Sequence, residues 1–191
     1  MGEKKTLKER LIFLSTFLRN PKQIGSITPS SRFLKKSMLK NVNFRKAKYI
    51  VEYGAGTGIL TKEILSYARK DAIILCFEVN KKFYRYLKKS LNDSRLFIIN
   101  DSAENIKKYI ELYNLPQIDY VLSSLPFSNL SEKKKSRIIT ATLEVLNNSG
   151  KFILYRYSNN FRQYLNYYFR RISTIFVPLN LPPTFVYVCQ R

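Results

Sequence analysis

The sequence predicts an α/β protein built on a doubly wound, mostly parallel sheet of seven strands, with helices ahead of it. Three observations predict this. From residue 49 onward, short apolar runs bounded by turn residues alternate with segments of helical periodicity. The run Ala72-Ile73-Ile74-Leu75-Cys76-Phe77-Glu78 is apolar almost throughout, as a strand covered on both faces requires. A glycine-rich turn, Gly54-Ala55-Gly56-Thr57-Gly58, follows the first run and opens a helical segment.

The elements follow in order. Leu7, Leu11, Leu14 and Leu18 recur at helical spacing, and Asn20-Pro21 ends that helix. Residues 24–31 read as a loop and 32–39 as a second helix, started by Pro29-Ser30-Ser31. Strands are then expected at 49–53, 72–78, 96–100, 119–123 and 151–157. Helices are expected between them at 59–69, 82–91, 106–113 and 132–146, the last stopped by Asn148-Ser149-Gly150. The rhythm breaks after residue 157. A helix over 161–169 is followed by strands at 174–177 and 185–188, separated by Asn180-Leu181-Pro182-Pro183. Right-handed crossovers fix the hand of the sheet. The length of 191 residues suits one domain, with 1–40 a helical segment and 41–191 the core.

Composition narrows the chemistry. Lys and Arg number 34 against 13 Asp and Glu, a net charge of +21, which attracts a polyanionic surface such as nucleic acid or an anionic membrane leaflet. There is no histidine, so the commonest general base and metal ligand are both missing. Cys76 and Cys189 stand singly, without zinc spacing, and read as buried thiols in a reducing compartment, so no metal is expected. No apolar run approaches the ~20 residues that span a bilayer. The expectation is a cytoplasmic protein, peripheral on the inner face of the membrane.

The candidate site gathers at the carboxyl ends of the strands, where open α/β sheets bind ligands. In Glu52-Tyr53-Gly54-Ala55-Gly56-Thr57-Gly58, the glycines let a ligand approach the backbone, and helix-start amides suit polar or anionic groups. Glu52 suits a ligand that carries an ammonium group. Glu78 ends the second strand about 20 residues on, where a carboxylate accepts hydrogen bonds from two ribose hydroxyls. Asp101, in Asn100-Asp101-Ser102-Ala103, either takes an adenine amine, with Ser102 and Ala103 lending backbone groups, or caps the next helix. After the fourth strand, Ser124-Leu125-Pro126-Phe127 holds Leu125 extended and offers the Phe127 ring to a cationic group.

Together these residues resemble the class I S-adenosylmethionine-dependent methyltransferases, which are Rossmann-like. Under that resemblance Glu52, Gly54, Ala55, Gly56 and Gly58 form the first cofactor motif. Glu78 with Val79 holds the ribose, and Asp101, Ser102 and Ala103 hold the adenine. Ser124, Leu125, Pro126 and Phe127 form the loop beside the transferred methyl, with Tyr53 a candidate base. Phe17-Leu18-Arg19-Asn20-Pro21 with Ile24-Gly25-Ser26-Ile27-Thr28-Pro29-Ser30-Ser31, and the ending Asn180-Leu181-Pro182-Pro183, resemble bacterial phospholipid N-methyltransferases. That resemblance implies an acceptor amine on a lipid such as phosphatidylethanolamine. Residues 4–22 would then lie on an anionic membrane as a basic amphipathic helix. The rRNA adenine N6-dimethyltransferases share the architecture and keep RNA open as a partner. They typically carry Asn-Leu-Pro-Tyr where this chain has Ser124-Leu125-Pro126-Phe127, and usually a further C-terminal helical domain for which this chain leaves no room. Aromatics interleaved with arginine from Tyr155 to Arg171 suit stacked bases or a headgroup layer equally. A basic binding module that keeps the fold without catalysis is a third alternative.

Overall fold

The computed structural model describes residues 32–191. The expected helix at 7–18, the loop at 24–31 and the amphipathic stretch at 4–22 lie outside the described residues. The elements run α1 (Arg32–Leu39), β1 (Tyr49–Tyr53), α2 (Ile59–Tyr67), β2 (Ile73–Phe77), α3 (Lys81–Ser90), β3 (Leu96–Ile99), α4 (Ile106–Leu112), β4 (Ile118–Ser123), α5 (Glu132–Val145), β5 (Leu146–Arg156), α6 (Phe161–Asn166), β6 (Arg171–Val177) and β7 (Thr184–Gln190). Short 3₁₀ turns at Ala103–Asn105 and Phe127–Asn129 precede α4 and α5.

The seven strands form one sheet in the order β3-β2-β1-β4-β5-β7-β6. The first five in that order are parallel. β7 inserts antiparallel between β5 and β6. Strand order reverses between β1 and β4, so a crevice opens beyond their carboxyl ends.

Strand periodicity of two splits the core. Val51, Leu75, Val121, Phe152 and Leu154 face α4, α5 and α6. Ile50, Ile74, Leu122, Ile153 and Val186 face α1 and α2, through Leu34, Met38, Leu60 and Ile64. An ion pair between Lys35 and Glu63 ties α1 to α2. α3 shows why its residues are helical. The Asn80 side chain caps it by accepting from the Lys82 and Phe83 amides, and Phe83 and Leu87 bury one face while lysines cover the other.

The largest difference in boundaries is at the start of β5. Asn148-Ser149-Gly150 lies inside β5, not between helix and strand. The register jumps from Ile118↔Leu146 to Tyr120↔Lys151, so residues 147–150 bulge out of the ladder. Asp119 holds the bulge by accepting from the Asn147 side-chain Nδ2 at 2.7 Å. Gly150 is needed because a Cβ there would stand 3.0 Å from both the Asn147 and Ile118 carbonyl oxygens. The helix expected over 161–169 closes at Asn166, and β6 starts at Arg171, three residues earlier than predicted. No described helix is long and apolar enough to cross a membrane.

Candidate functional site

The glycine turn leaves β1 in left-handed backbone, with φ of 74° at Gly54, 55° at Gly56 and 77° at Gly58, which side chains disfavour. The amides of Gly54 and Ala55 donate to the Phe77 carbonyl, which pins the turn to the end of β2. A Cβ on Gly54 would meet Leu125, and one on Gly58 would meet Leu87 at 2.7 Å. A Cβ on Gly56 would meet nothing within 4 Å, so this residue faces open space, as a ligand cradle requires.

Glu78, at the end of β2, closes the cradle. Its Oε2 accepts from the Gly56 amide and its Oε1 from the Asn80 amide, both at 2.8 Å. Each oxygen keeps a lone pair for a further donor. Burial raises its carboxyl above the usual value, and the two amide bonds oppose that rise. Beside it, Val79 is 60% exposed, an apolar side chain left facing solvent at the strand end.

Glu52 lies deeper. It shares the face of Ile50, pairs in register with Cys76, and is wholly buried. Neither carboxylate oxygen has a hydrogen-bond partner among the described residues. Burial lifts its carboxyl to about 7, Thr61 nearby softens that rise without reaching bonding geometry, and the charge of Glu78 adds to it. A buried acid with both oxygens unmet is costly unless a cation or donor completes it.

Asp101 is more occupied than expected. Its Oδ1 accepts from the Ser102 amide at 2.7 Å and the Asn105 side chain at 2.8 Å, and its Oδ2 from the Tyr109 hydroxyl at 2.9 Å. Partial burial works against its charge, yet the bonds from Asn105, Ser102 and Tyr109 hold it below the usual carboxylate value. The cap of the following turn is Ser102, whose hydroxyl accepts from the Glu104 amide. Ala103 is buried beneath it.

Two expectations require correction. Tyr53 was expected as a candidate base, but its ring is wholly buried on the opposite face from Glu52, edge-on to Phe77. Its hydroxyl bonds Thr142 at 3.1 Å, and burial pushes its pKa up, away from base chemistry. Phe127 was expected to offer its ring to a cationic group. Instead it is fully buried against Phe152 and Phe161, with centroids at 6.3 and 5.5 Å. What the Ser124–Phe127 loop presents at the crevice is therefore backbone and the half-buried Leu125 and Pro126. The Ser124 amide donates to the Tyr53 carbonyl, and the Leu125 amide to the Ser123 hydroxyl, so the loop is held to the end of β1.

Asn80 and Asn100 went unrecognised in the sequence. The Asn100 side-chain Nδ2 donates to the Glu78 and Val79 carbonyls at 2.7 and 3.2 Å, which fixes the backbone that carries both side chains. Its signal was its place beside Asp101, directly after the third strand.

The arrangement fits a nucleoside cofactor with an ammonium tail. An open glycine cradle, a strand-end carboxylate with spare lone pairs and an unmet buried acid lie along the ends of β1 and β2. No group of residues that would hold a metal ion occurs among the described residues.

Known proteins agree with this geometry. Over residues 7–163 the chain matches the ribosomal RNA adenine dimethylase family. It is 26% identical to the ornithine lipid N-methyltransferase of Singulisphaera acidiphila, across 96% of this chain and 97% of that protein. It is 30% identical to the ribosomal RNA small subunit methyltransferase A of Ureaplasma parvum, across 67% of this chain but only 50% of that protein. Among solved structures, the 1,6-didemethyltoxoflavin-N1-methyltransferase of Burkholderia thailandensis shares the fold, with a TM-score of 0.68 at 11% identity over 96% of this chain and 89% of that one. The family match covers well over half the sequence and takes in β1 to β5 together with the glycine cradle; the chain is an S-adenosylmethionine-dependent methyltransferase and belongs to the ribosomal RNA adenine dimethylase family.

Proposed function

We propose that this chain methylates the primary amine of a zwitterionic lipid headgroup, of the phosphatidylethanolamine kind, at an anionic membrane surface. The observation that carries this reading is the near end-to-end agreement with the ornithine lipid N-methyltransferase. The acceptor loop supports it. Ser124 stands where the adenine enzymes typically have an Asn whose amide holds the base. Phe127 is buried, so its own ring offers no face to a flipped base.

S-adenosylmethionine supplies a methyl already activated on its sulfonium. The residues of this chain then align and exclude. Glu52 would offer its carboxylate to the ammonium tail, Glu78 would take the ribose hydroxyls, and Val79 would cover one face of the adenine. Asp101, Ser102 and Ala103 border the far end of the base. Leu125 and Pro126 would wall the acceptor amine against water beside the cofactor's methyl. With no histidine and with Tyr53 and Glu52 both buried, the amine sheds its proton to solvent before attack. The net charge of +21 draws the protein to anionic lipid, at about 1 kcal/mol for each basic residue near the surface.

The second reading is methylation of an adenine in ribosomal RNA, favoured by the family match and by the Ureaplasma parvum relative. The deciding experiment presents methyl-labelled S-adenosylmethionine with vesicles of phosphatidylethanolamine and phosphatidylglycerol, and separately with ribosomal RNA. Label in the lipid fraction supports the proposal. Label confined to RNA overturns it. Flotation of the full chain on the same vesicles, but not on phosphatidylcholine alone, is expected beside it.

A further inference from the structure

Beyond the cofactor cradle, β5 ends in a cation with no hydrogen-bond acceptor among the described residues. Arg156 ends β5. Phe152, Leu154 and Arg156 share one face by strand periodicity, and the first two belong to the core beneath. Leu154 pairs with Ser123, the last residue of β4. Arg156 therefore stands two residues further out, about 6.6 Å along the strand, level with the Ser124–Phe127 loop. Its backbone is fixed, since its carbonyl accepts from the Thr184 hydroxyl at 2.7 Å.

The guanidinium is fixed as well. Its carbon lies 4.5 Å from the Phe161 ring centroid, and that ring lies 5.5 Å from the ring of Phe127, so the guanidinium is within 10 Å of the loop's own aromatic. Nη1 is buried and has no hydrogen-bond partner among the described residues. None of the ion pairs among the described residues includes Arg156. The Tyr187 hydroxyl, which donates to Ser158 and Asn159, accepts no hydrogen bond from the guanidinium among the described residues. A half-buried guanidinium stacked on a ring, with no acceptor among the described residues, is preorganised for an oxyanion, which its planar fork suits.

We propose that Arg156 binds the oxyanion carried by the acceptor itself, the phosphate or carboxylate a few bonds from the amine, and so selects zwitterionic amines over plain ones. This rests on the lipid-amine reading above. In phosphatidylethanolamine the amine and phosphorus lie about 4–5 Å apart by standard bond lengths. In so short a headgroup the phosphate stays beside the amine, on the side of the crevice where the end of β5 places Arg156. A carboxylate on an amino-acid lipid serves the same fork. Arg156 is thus a specificity residue, separate from the acids that hold the cofactor.

The test measures kcat and KM for methyl transfer to phosphatidylethanolamine, to an ornithine lipid and to octadecylamine, each in neutral detergent micelles. Wild type, R156Q and R156K are compared, with S-adenosylhomocysteine affinity as the check on folding. R156Q is expected to cut the preference for oxyanion-bearing amines over octadecylamine at least ten-fold, chiefly through KM. R156K, which keeps the charge but not the fork, is expected to fall between. Loss on phosphatidylethanolamine alone identifies phosphate as the anion, and loss on the ornithine lipid alone identifies carboxylate. An equal loss on all three acceptors, or an unchanged preference, assigns Arg156 a structural role and overturns the proposal. If the wild type labels no lipid at all while it labels ribosomal RNA, the lipid reading itself has failed, a result distinct from any behaviour of the variants.

Discussion

Replacing Glu52 with Gln isolates the charge that the free protein keeps beneath its glycine turn. Burial lifts this carboxyl from 4.5 to about 7. Each pH unit in that interval corresponds to ~1.4 kcal/mol, so ionised Glu52 costs the free protein about 3 kcal/mol. The sign follows from proton counting. Below pH 4.5 the folded and unfolded chains both hold the proton, and no penalty exists. Between 4.5 and 7 the unfolded chain ionises while the native one stays protonated, so stability falls as pH rises. Above 7 the penalty is complete. E52Q has no such titration, so its stability relative to wild type is expected to climb by about 3 kcal/mol from pH 4.5 to 8. For a chain of this length that is on the order of 6–12 °C in Tm. Thermal unfolding of both proteins across that range, without ligand, reads the difference directly. An offset between the two curves that stays constant with pH would refute the reasoning, because it would mean that Glu52 ionises as readily in the fold as in water. The same substitution is expected to weaken S-adenosylmethionine binding above pH 7, where the wild-type carboxylate is charged and the ammonium tail offsets its burial.

Two further expectations test the cradle. E78A should weaken cofactor binding at least ten-fold by calorimetry, since hydrogen bonds to a charged acceptor contribute on the order of 1.5–3 kcal/mol; an unchanged dissociation constant in a folded variant would remove Glu78 from the site. G56A and G58A should part company in thermal unfolding with and without S-adenosylhomocysteine. G56A has left-handed backbone but free space, so it should lose only about 1–2 kcal/mol of stability while losing ligand-induced stabilisation. G58A, whose Cβ would press on Leu87 and Leu91, should lose more stability than that before any ligand is added. Equal behaviour of the pair would contradict the cradle geometry.

The sequence displayed the parts of this site that break a pattern. Glu78 stands out because it ends an apolar run, and the glycines because they cluster after a strand. Tyr53 and Phe127 were not legible in the same way. Both faces of a parallel sheet are apolar, so an aromatic at a strand end or in the following loop reads alike whether it faces the crevice or the core. Only the packing of α5 and α6 decides, and it buries both rings. Asn148-Ser149-Gly150 reads as a stop by composition, yet Asp119 and the close carbonyl of Ile118 make it a bulge, a partnership across the sheet that local sequence does not carry. Arg156 was legible in principle by the rule that found Glu78, a charge that closes an apolar strand. It was read with its neighbours as part of a basic stretch, because the ring it stacks on belongs to another element.

β7 lies between β5 and β6 and, among the described strands, is the only one that β6 pairs with. During synthesis, then, β6 emerges with no ladder to join, and one edge of β5 stays bare until residues 184–190 have left the ribosome. The first five strands can zip in turn as each crossover completes, but closure of the sheet waits on that stretch. A nascent chain stalled short of it would present two open edges to its neighbours, and chaperones would be expected to engage it there.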